Sequence, residues 1–167
     1  SDTVEKESIP DTSEFATEGR TLLIVDDEAQ IRNLIEDLFS DRYTVLQAAD
    51  GHAAIEVMKQ RRPDLIISDI IMPGMNGSEL VRELKSNPFT ASIPVVFLTS
   101  KVTTSDHISG YELGVEAYIP KPFHPRHLQA VVNQLISSRQ SLRDYYNSPL
   151  SQSDLYNGNY IQEKDKN

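Results

Sequence analysis

The chain contains no cysteine and no tryptophan, and none of its apolar runs is long. Without cysteine, neither a disulfide framework nor a thiolate metal site is available. The longest apolar stretches, such as TLLIV and PVVFL, are far shorter than the ~20 residues that cross a bilayer, and the first residues lack the basic and apolar pattern of a signal peptide. We therefore expect an intracellular, cytoplasmic protein without a membrane segment.

A basic segment is also missing. The chain has 16 Lys and Arg against 25 Asp and Glu, which gives a formal net charge of −9, and residues 1–20 alone carry six acids and two bases. Proteins that bind phosphate backbones present clusters of basic residues along the sequence or on one face. We therefore predict no direct nucleic-acid binding by these residues.

The organisation along the chain predicts one domain between two linkers. Residues 1–19 are polar and acidic, without helical or strand periodicity, and are predicted to be a flexible linker. From residue 20 to 140, short aliphatic runs alternate with longer amphipathic segments; the runs are TLLIV, YTVLQA, DLIIS, IPVVFL and EAYI. Apolar strands that alternate with helices predict a parallel sheet covered on both faces, which is a three-layer α/β fold.

The helical segments are EAQIRNLIEDLFS, GHAAIEVMKQRR, SELVRELKS, TTSDHISGYELG and PRHLQAVVNQLISSRQ. Asn76 is predicted to cap the third helix, and Pro125 suits the first turn of the fifth. Residues 141–167 are predicted to be a second linker. The apolar spacing of the fifth helix continues to Leu142 and Tyr146, so this helix either extends toward a downstream domain or packs amphipathically and frays at its end.

Acidic residues follow two of the predicted strands. Asp26 and Asp27 come after the first strand, and Asp69 comes after the third. Ligands of open parallel sheets bind beyond the carboxyl ends of the strands. If the two strands are neighbours, three carboxylates repel one another, which raises their proton affinity or requires a cation such as Mg²⁺. Each acid alone is equally well explained as a solvated strand end, and Asp27 as the cap of a helix that starts at Glu28.

Two more polar side chains are expected at the same edge. Thr99 ends the fourth strand, and Lys121 follows the fifth. A lysine among acids is often a plain ion pair. A hydroxyl and an ammonium group beside an acidic metal site, however, are the groups that bind the oxygens of a phosphoryl group.

Four motifs, IVDDE, SDIIMPGMNG, FLTS and YIPKPF, occur in this order, and through them residues 20–140 resemble the receiver domains of two-component response regulators. The resemblance implies a flavodoxin-like (βα)5 fold whose five parallel strands have the order 2-1-3-4-5. It also implies that Asp69, at the end of a buried strand, accepts a phosphoryl group from a histidine kinase.

The same resemblance implies roles for the residues around Asp69. It implies that Mg²⁺ is held by Asp26, Asp27, Asp69 and the backbone carbonyl of Ile71, and that Thr99 and Lys121 contact the phosphoryl oxygens. The Lys121–Pro122 bond is expected to be cis. In the implied switch, Thr99 moves toward the phosphoryl group and Tyr118 rotates inward into the space that Thr99 leaves.

The flanking segments resemble those of the internal receiver of a hybrid sensor histidine kinase, especially one that continues into an AraC-type helix-turn-helix domain. This resemblance rests mainly on LISSRQSLRDYYNSP and implies a histidine kinase module as phosphodonor and a transcriptional output. A regulator that stands alone, a terminal receiver, and a homodimer through the face of the predicted fourth and fifth helices all stay open.

Three other functions fit parts of the pattern. A phosphatase of the haloacid-dehalogenase type also uses an aspartate at a strand end, but it requires an acid two residues later, where this chain has Ile71. A flavodoxin-like FMN binder is disfavoured because the chain lacks tryptophan and a phosphate loop rich in Thr and Ser. A degenerate receiver that serves only for docking is disfavoured because all five site positions are present. We therefore expect no enzyme activity beyond self-phosphorylation and slow dephosphorylation.

Overall fold

The structure is a computed structural model, and it describes residues 19–100 and 112–148. The predicted linker 1–19, apart from Gly19, lies outside the described residues. So do most of the predicted fourth helix and the tail beyond Ser148.

The described residues form one parallel sheet. Its strands are β1 (Thr21–Val25), β2 (Thr44–Ala48), β3 (Leu65–Ser68), β4 (Val95–Thr99) and β5 (Ala117–Pro120). They lie in the order β2-β1-β3-β4-β5, and β1 pairs with β3 so that Val25 lies opposite Ser68. The flavodoxin-like fold and the strand order predicted from the sequence are confirmed, and the residues that follow β1 and β3 lie side by side.

Helices follow the first three strands and the last one. They are α1 (Ala29–Phe39), α2 (Gly51–Gln60), α3 (Gly77–Ser86) and the C-terminal helix (Pro125–Asn147). The carboxamide oxygen of Asn76 accepts a hydrogen bond from the amide of Glu79 at 2.9 Å, which confirms the predicted cap of α3. Pro125 lies in the first turn of its helix, as predicted.

The start of α1 differs from the prediction. The helix begins at Ala29, and Glu28 occupies the N-cap position without a side-chain cap bond. Asp27 therefore does not cap this helix, and that alternative explanation of Asp27 is wrong.

Both faces of the sheet are buried. Leu22 and Ile24 of β1 belong to one hydrophobic core, and Leu23 and Val25 belong to the other, because successive side chains of a strand point to opposite faces. The C-terminal helix and α1 cover the first core, while α2 and α3 cover the second. The three inner strands β1, β3 and β4 are consequently buried along their whole length, whereas the edge strand β2 is mostly only half-buried.

The C-terminal helix continues past residue 140 to Asn147. One guanidinium NH2 group of Arg139 donates to the carbonyl oxygen of Ser92 at 2.8 Å, and the other donates to a carboxylate oxygen of Glu116 at 3.0 Å. Leu142 and Tyr146 lie within the helix and are exposed. None of the described helices is both long and apolar enough to cross a membrane.

Candidate active site at the carboxyl edge of the sheet

Asp69 is fixed by the strand that precedes it and by the turn that follows. Its amide donates to the carbonyl oxygen of Val25 at 2.9 Å, which extends the pairing of β3 with β1 by one residue. Its Oδ1 accepts hydrogen bonds from the amides of Ile70 at 2.7 Å and Ile71 at 3.3 Å. The residue is only 7% exposed. The backbone therefore orients one carboxylate oxygen before any ligand binds.

Gly77 allows α3 to start directly against Asp69. A Cβ atom at Gly77 would overlap the backbone oxygen of Asp69 and would lie 2.9 Å from Cα of Ile70. The Gly77 amide donates to the carbonyl oxygen of Ile70 at 2.8 Å, which closes the turn. Gly74, with a φ angle of 72°, supplies the left-handed residue of the same turn. The glycines of PGMNG thus serve the placement of Asp69.

Asp26 and its two neighbours form an acidic cluster beside β3. One oxygen atom from each of the Asp26, Asp27 and Glu28 carboxylates can be chosen so that all three lie within 4.8 Å of one another. Asp26 is 2% exposed, and its Oδ1 accepts a hydrogen bond from the Glu28 amide at 2.9 Å, whereas Asp27 and Glu28 are exposed. One acid of the cluster is buried, and the other two face solvent.

Lys121 joins this cluster to Asp69. Its Nζ donates to Oδ2 of Asp26 at 2.7 Å and to Oδ2 of Asp69 at 3.0 Å. Burial lowers the pKa of Lys121, but the hydrogen bonds and negative charges of the two aspartates outweigh it, so the pKa lies above the usual value for lysine. The ammonium group is therefore charged at neutral pH and bridges the two acids. The Lys121–Pro122 peptide bond is cis, as expected.

Thr99 and Tyr118 lie on neighbouring strands beside Lys121, Thr99 in β4 and Tyr118 in β5. Thr99 is fully buried at the end of β4, and its carbonyl oxygen accepts a hydrogen bond from the Lys121 amide at 2.9 Å. Tyr118 is 7% exposed, and its ring packs edge to face against Phe97 with a centroid distance of 6.2 Å. Tyr118 is therefore largely buried beside Phe97 of the neighbouring strand, and the switch that the resemblance implies stays a prediction.

The donor groups suit a hard divalent cation. Carboxylate oxygens are the ligands that Mg²⁺ prefers, and three carboxylates converge beside a fourth. The cluster contains two of the predicted ligands, Asp26 and Asp27, together with Glu28, which the sequence interpretation did not include. Asp69 is not part of that group and is connected to it through Lys121. The acidic run DDE contains the signal that would have identified Glu28.

Ile71 is at the mouth of the site and is 56% exposed. A phosphatase of the haloacid-dehalogenase type would need a carboxylate there. The residue presents an apolar surface instead, next to the amide that contacts Asp69. The arrangement therefore offers the buried carboxylate of Asp69, one bridging cation and an acidic cluster, but no second acid at the position of Ile71.

Comparison with known proteins agrees with this geometry. The sequence matches the family model described as "Response regulator receiver domain" over residues 22–133. It is 45% identical over 113 residues to the phosphate regulon transcriptional regulatory protein PhoB of Pseudomonas aeruginosa, a match that covers 67% of this chain and 49% of PhoB. It is 37% identical over 126 residues to histidine kinase P4 of Formosa agariphila, which covers 75% of this chain and 9% of that kinase.

Among solved structures, the fold is similar to the signal receiver domain of a signal transduction histidine kinase from Syntrophus aciditrophicus. The TM-score is 0.67 at 32% sequence identity, and the match covers 72% of this chain and 92% of that one. The chain thus spans nearly the whole of an isolated receiver domain, but about half of PhoB and about a tenth of the P4 kinase.

Proposed function

The chain belongs to the response regulator receiver domain family, and from this membership we propose that Asp69 accepts a phosphoryl group from a histidine kinase. The observation that carries the proposal is the position of the Lys121 ammonium group, which lies 2.7 Å from a carboxylate oxygen of Asp26 and 3.0 Å from one of Asp69. A cation held there is next to the oxygens of any group transferred to Asp69.

The proposed step is a displacement at phosphorus. A carboxylate oxygen of Asp69 attacks the phosphorus atom of a phosphohistidine, a P–O bond forms, and the P–N bond breaks. The electron pair leaves with the imidazole, which takes up a proton from solvent. The attacking group is a carboxylate, so no general base is needed, and charge neutralisation and positioning supply the rate enhancement.

Mg²⁺ fits the acidic cluster as the cofactor. Asp26, Asp27 and Asp69 would hold it, together with the backbone carbonyl of Ile71, and Glu28 is a further acid within reach of the cluster. When bound, the ion would neutralise charge on the transferred group. Lys121 and the amides of Ile70 and Ile71 would orient Asp69 in the same site.

The output depends on the residues beside the site. Phosphorylation adds roughly −1.5 to −2 charges and three acceptor oxygens. We propose that Thr99 binds one of these oxygens and that the position of Tyr118 changes with it, which alters the surface that a partner contacts. The ring of Tyr118 packs on Phe97 of the neighbouring strand, so a shift of β4 at Thr99 would reach it directly.

Intact mass spectrometry after incubation with acetyl phosphate tests the proposal. We expect one phosphoryl adduct that requires both Mg²⁺ and Asp69. D69N should give none, whereas D41N, which changes an exposed aspartate before β2 at the opposite edge, should be labelled like the wild type. Absence of an adduct on the wild type would favour a degenerate receiver used for docking, and sustained turnover of a phosphate ester would favour a phosphatase.

The wider context is also a proposal. We propose that the domain is the internal receiver of a hybrid histidine kinase, that it lies in the cytoplasm, and that an AraC-type output domain follows it. The 37% identity to the P4 kinase supports the hybrid context. The 45% identity to PhoB supports a separate transcriptional regulator, and a homodimer is compatible with both. Sequencing the gene on both sides distinguishes the hybrid kinase from the separate regulator. We expect one open reading frame with a kinase module upstream and a helix-turn-helix domain downstream. Stop codons at both ends would contradict the hybrid context.

A further inference from the structure

A basic pocket lies at the amino edge of the sheet, opposite the acidic site. It has a volume of about 310 Å³ and opens between the segments that precede β1, β3 and β4 and the last turns of the C-terminal helix. Four of the chain's 16 basic residues line it; they are Arg20, Arg62, Arg139 and Arg143. Asp64 is the acid among the lining residues. This is a local excess of positive charge in a chain whose net charge is −9.

The arginines of this pocket are only partly engaged. Arg62 donates to the carbonyl oxygen of Phe89 at 2.9 Å, and a guanidinium nitrogen of Arg20 lies 3.7 Å from Asp64. Arg139 is held by Ser92 and Glu116. Arg143 forms no hydrogen bond and no ion pair with the other residues that the structure describes. Since each guanidinium has five N–H donors, the pocket keeps unused donors that suit carboxylates.

Two further features narrow the chemistry of the ligand. Oε1 of Gln140, a residue that also lines the pocket, is buried and has no hydrogen-bond partner within the described residues, so it requires a donor. Leu142 and Tyr146 add exposed apolar surface to the rim. A small inorganic anion satisfies the arginines alone. A peptide with acidic and apolar side chains satisfies the arginines, the Gln140 oxygen and the apolar rim together. Its carboxylates pair with the arginines, its backbone amides donate to Gln140, and its apolar side chains cover the rim.

The segment that precedes the domain, residues 1–18, has both acidic and apolar side chains, and it enters the domain at this pocket. Residues 1–18 carry six acids and one base, with Glu14, Phe15 and Glu18 closest to the domain. Gly19 and Arg20 are the first described residues, and Arg20 is part of the pocket lining. An extended chain spans roughly 3.4 Å per residue, so Glu14 is within about 20 Å of Arg20 and can reach any part of the pocket.

We propose that residues 14–18 dock in this pocket and hold the incoming segment against the end of the C-terminal helix. Glu14 and Glu18 pair with arginines, chiefly Arg143, and Phe15 packs against Leu142 and Tyr146. The docked segment links the two places where the chain enters and leaves the domain. The proposal does not depend on phosphorylation of Asp69.

Disulfide trapping in the full chain tests this contact, because the chain has no native cysteine. Cysteines are introduced by A16C and N147C, and the rate of intrachain disulfide formation is compared with that of A16C and Q60C. Gln60 is exposed at the end of α2, on the same edge of the sheet, and does not line the pocket. We expect the first pair to close at least about tenfold faster, which corresponds to ~1.4 kcal/mol.

Charge variants of the first pair sharpen the test. Both R143Q and the combination E14Q with E18Q should remove most of the rate difference, and so should 1 M salt, which shortens the screening length to about 3 Å. R126Q changes an exposed arginine at the far end of the same helix and should have no effect. Equal rates for the two cysteine pairs would overturn the proposal. Disulfide-linked dimers would overturn it in favour of a second copy of the chain as the occupant.

Discussion

The two edges of the sheet carry opposite charges and hold them in different ways. At the carboxyl edge, the carboxylates of Asp26 and Asp69 are buried and share one ammonium group. At the amino edge, four arginines surround an open pocket. Arg62 donates to a backbone carbonyl oxygen and a hydroxyl group, whereas Arg139 donates to one carbonyl oxygen and to the Glu116 carboxylate. One edge is a closed network of charges, whereas the other keeps donors available.

The difference shows which charges are fixed in place by the fold before a ligand binds. Charges in a buried site interact more strongly than charges in water, and they are oriented before the ligand arrives. Asp69 meets both conditions through two backbone amides and Lys121. The arginine pocket is accessible and adaptable, which suits a contact between segments. We therefore expect substitutions at the carboxyl edge to have large effects on both stability and phosphorylation, and substitutions at the amino edge to have small and local ones.

The largest effect is expected from G77A. The new methyl group would overlap the backbone of Asp69, which cannot move away like a flexible side chain, so we expect a loss of ~3 kcal/mol in the free energy of unfolding and loss of phosphoryl labelling. Urea denaturation measures the first quantity. G51A is the matched control, since the nearest atoms to its methyl group would be those of the Met75 side chain rather than backbone. An equal cost for both variants would contradict the role of Gly77.

The next effect is expected from K121M. Two buried carboxylates would lose their shared cation, so the rate of labelling by acetyl phosphate should fall about 100-fold and the protein should lose ~2 kcal/mol of stability. K59M removes a lysine whose side chain is 65% exposed and should change stability by less than about 0.5 kcal/mol. Labelling of K121M at the wild-type rate would show that the bridging cation is not needed.

The pH dependence of stability sharpens the comparison of wild type with K121M. The pKa of Lys121 is raised in the folded protein, so its stabilising contribution is complete below the unfolded value of 10.5 and is lost as the pH rises through the higher folded value. The difference in unfolding free energy between the two proteins should be constant from neutral pH to about pH 9.5 and shrink above that. A difference that grows above pH 10.5 would contradict the sign of the shift.

The smallest effect is expected at the amino edge, from R139Q. Arg139 ties the C-terminal helix to Ser92 and Glu116, partly in solvent, so we expect a loss of about 0.5–1 kcal/mol. Hydrogen exchange should accelerate mainly in residues 139–147. R126Q serves as the control on the same helix. A loss as large as that of K121M would remove the contrast between the two edges.

Much of the fold was predictable because the inner strands β1, β3 and β4 are buried runs, each followed by a polar residue. Strand β1 has the predicted limits. Because β1 pairs with β3, Asp26 and Asp69 lie side by side. The start of α1 was not predictable to the residue, since Asp27 and Glu28 are both acceptable at a helix start. The extension of the C-terminal helix to Asn147 matches the apolar spacing that reaches Tyr146.

The residues of the acidic site were predictable because they lie at strand ends. The arginine pocket was not, because its residues are far apart in the sequence and share no local pattern. Thr99 ends a strand, and Asp26, Asp69 and Lys121 each follow one directly; a parallel sheet gathers such residues at one edge. The arginines of the pocket, by contrast, precede strands or belong to the far end of a helix, and no local pattern connects residues 20, 62, 139 and 143. The bridging of Asp26 and Asp69 by Lys121 depends on side-chain geometry, which the sequence does not encode locally.

Locating the modified residue is the sharpest test of the proposal that Asp69 carries the phosphoryl group. After labelling with acetyl phosphate and Mg²⁺, reduction with borohydride converts an aspartyl phosphate to homoserine, which a peptide map assigns to one position. We expect homoserine at position 69 alone, in the peptide that contains SDIIMPG. Homoserine at position 26 or 27, with Asp69 unmodified, would contradict it.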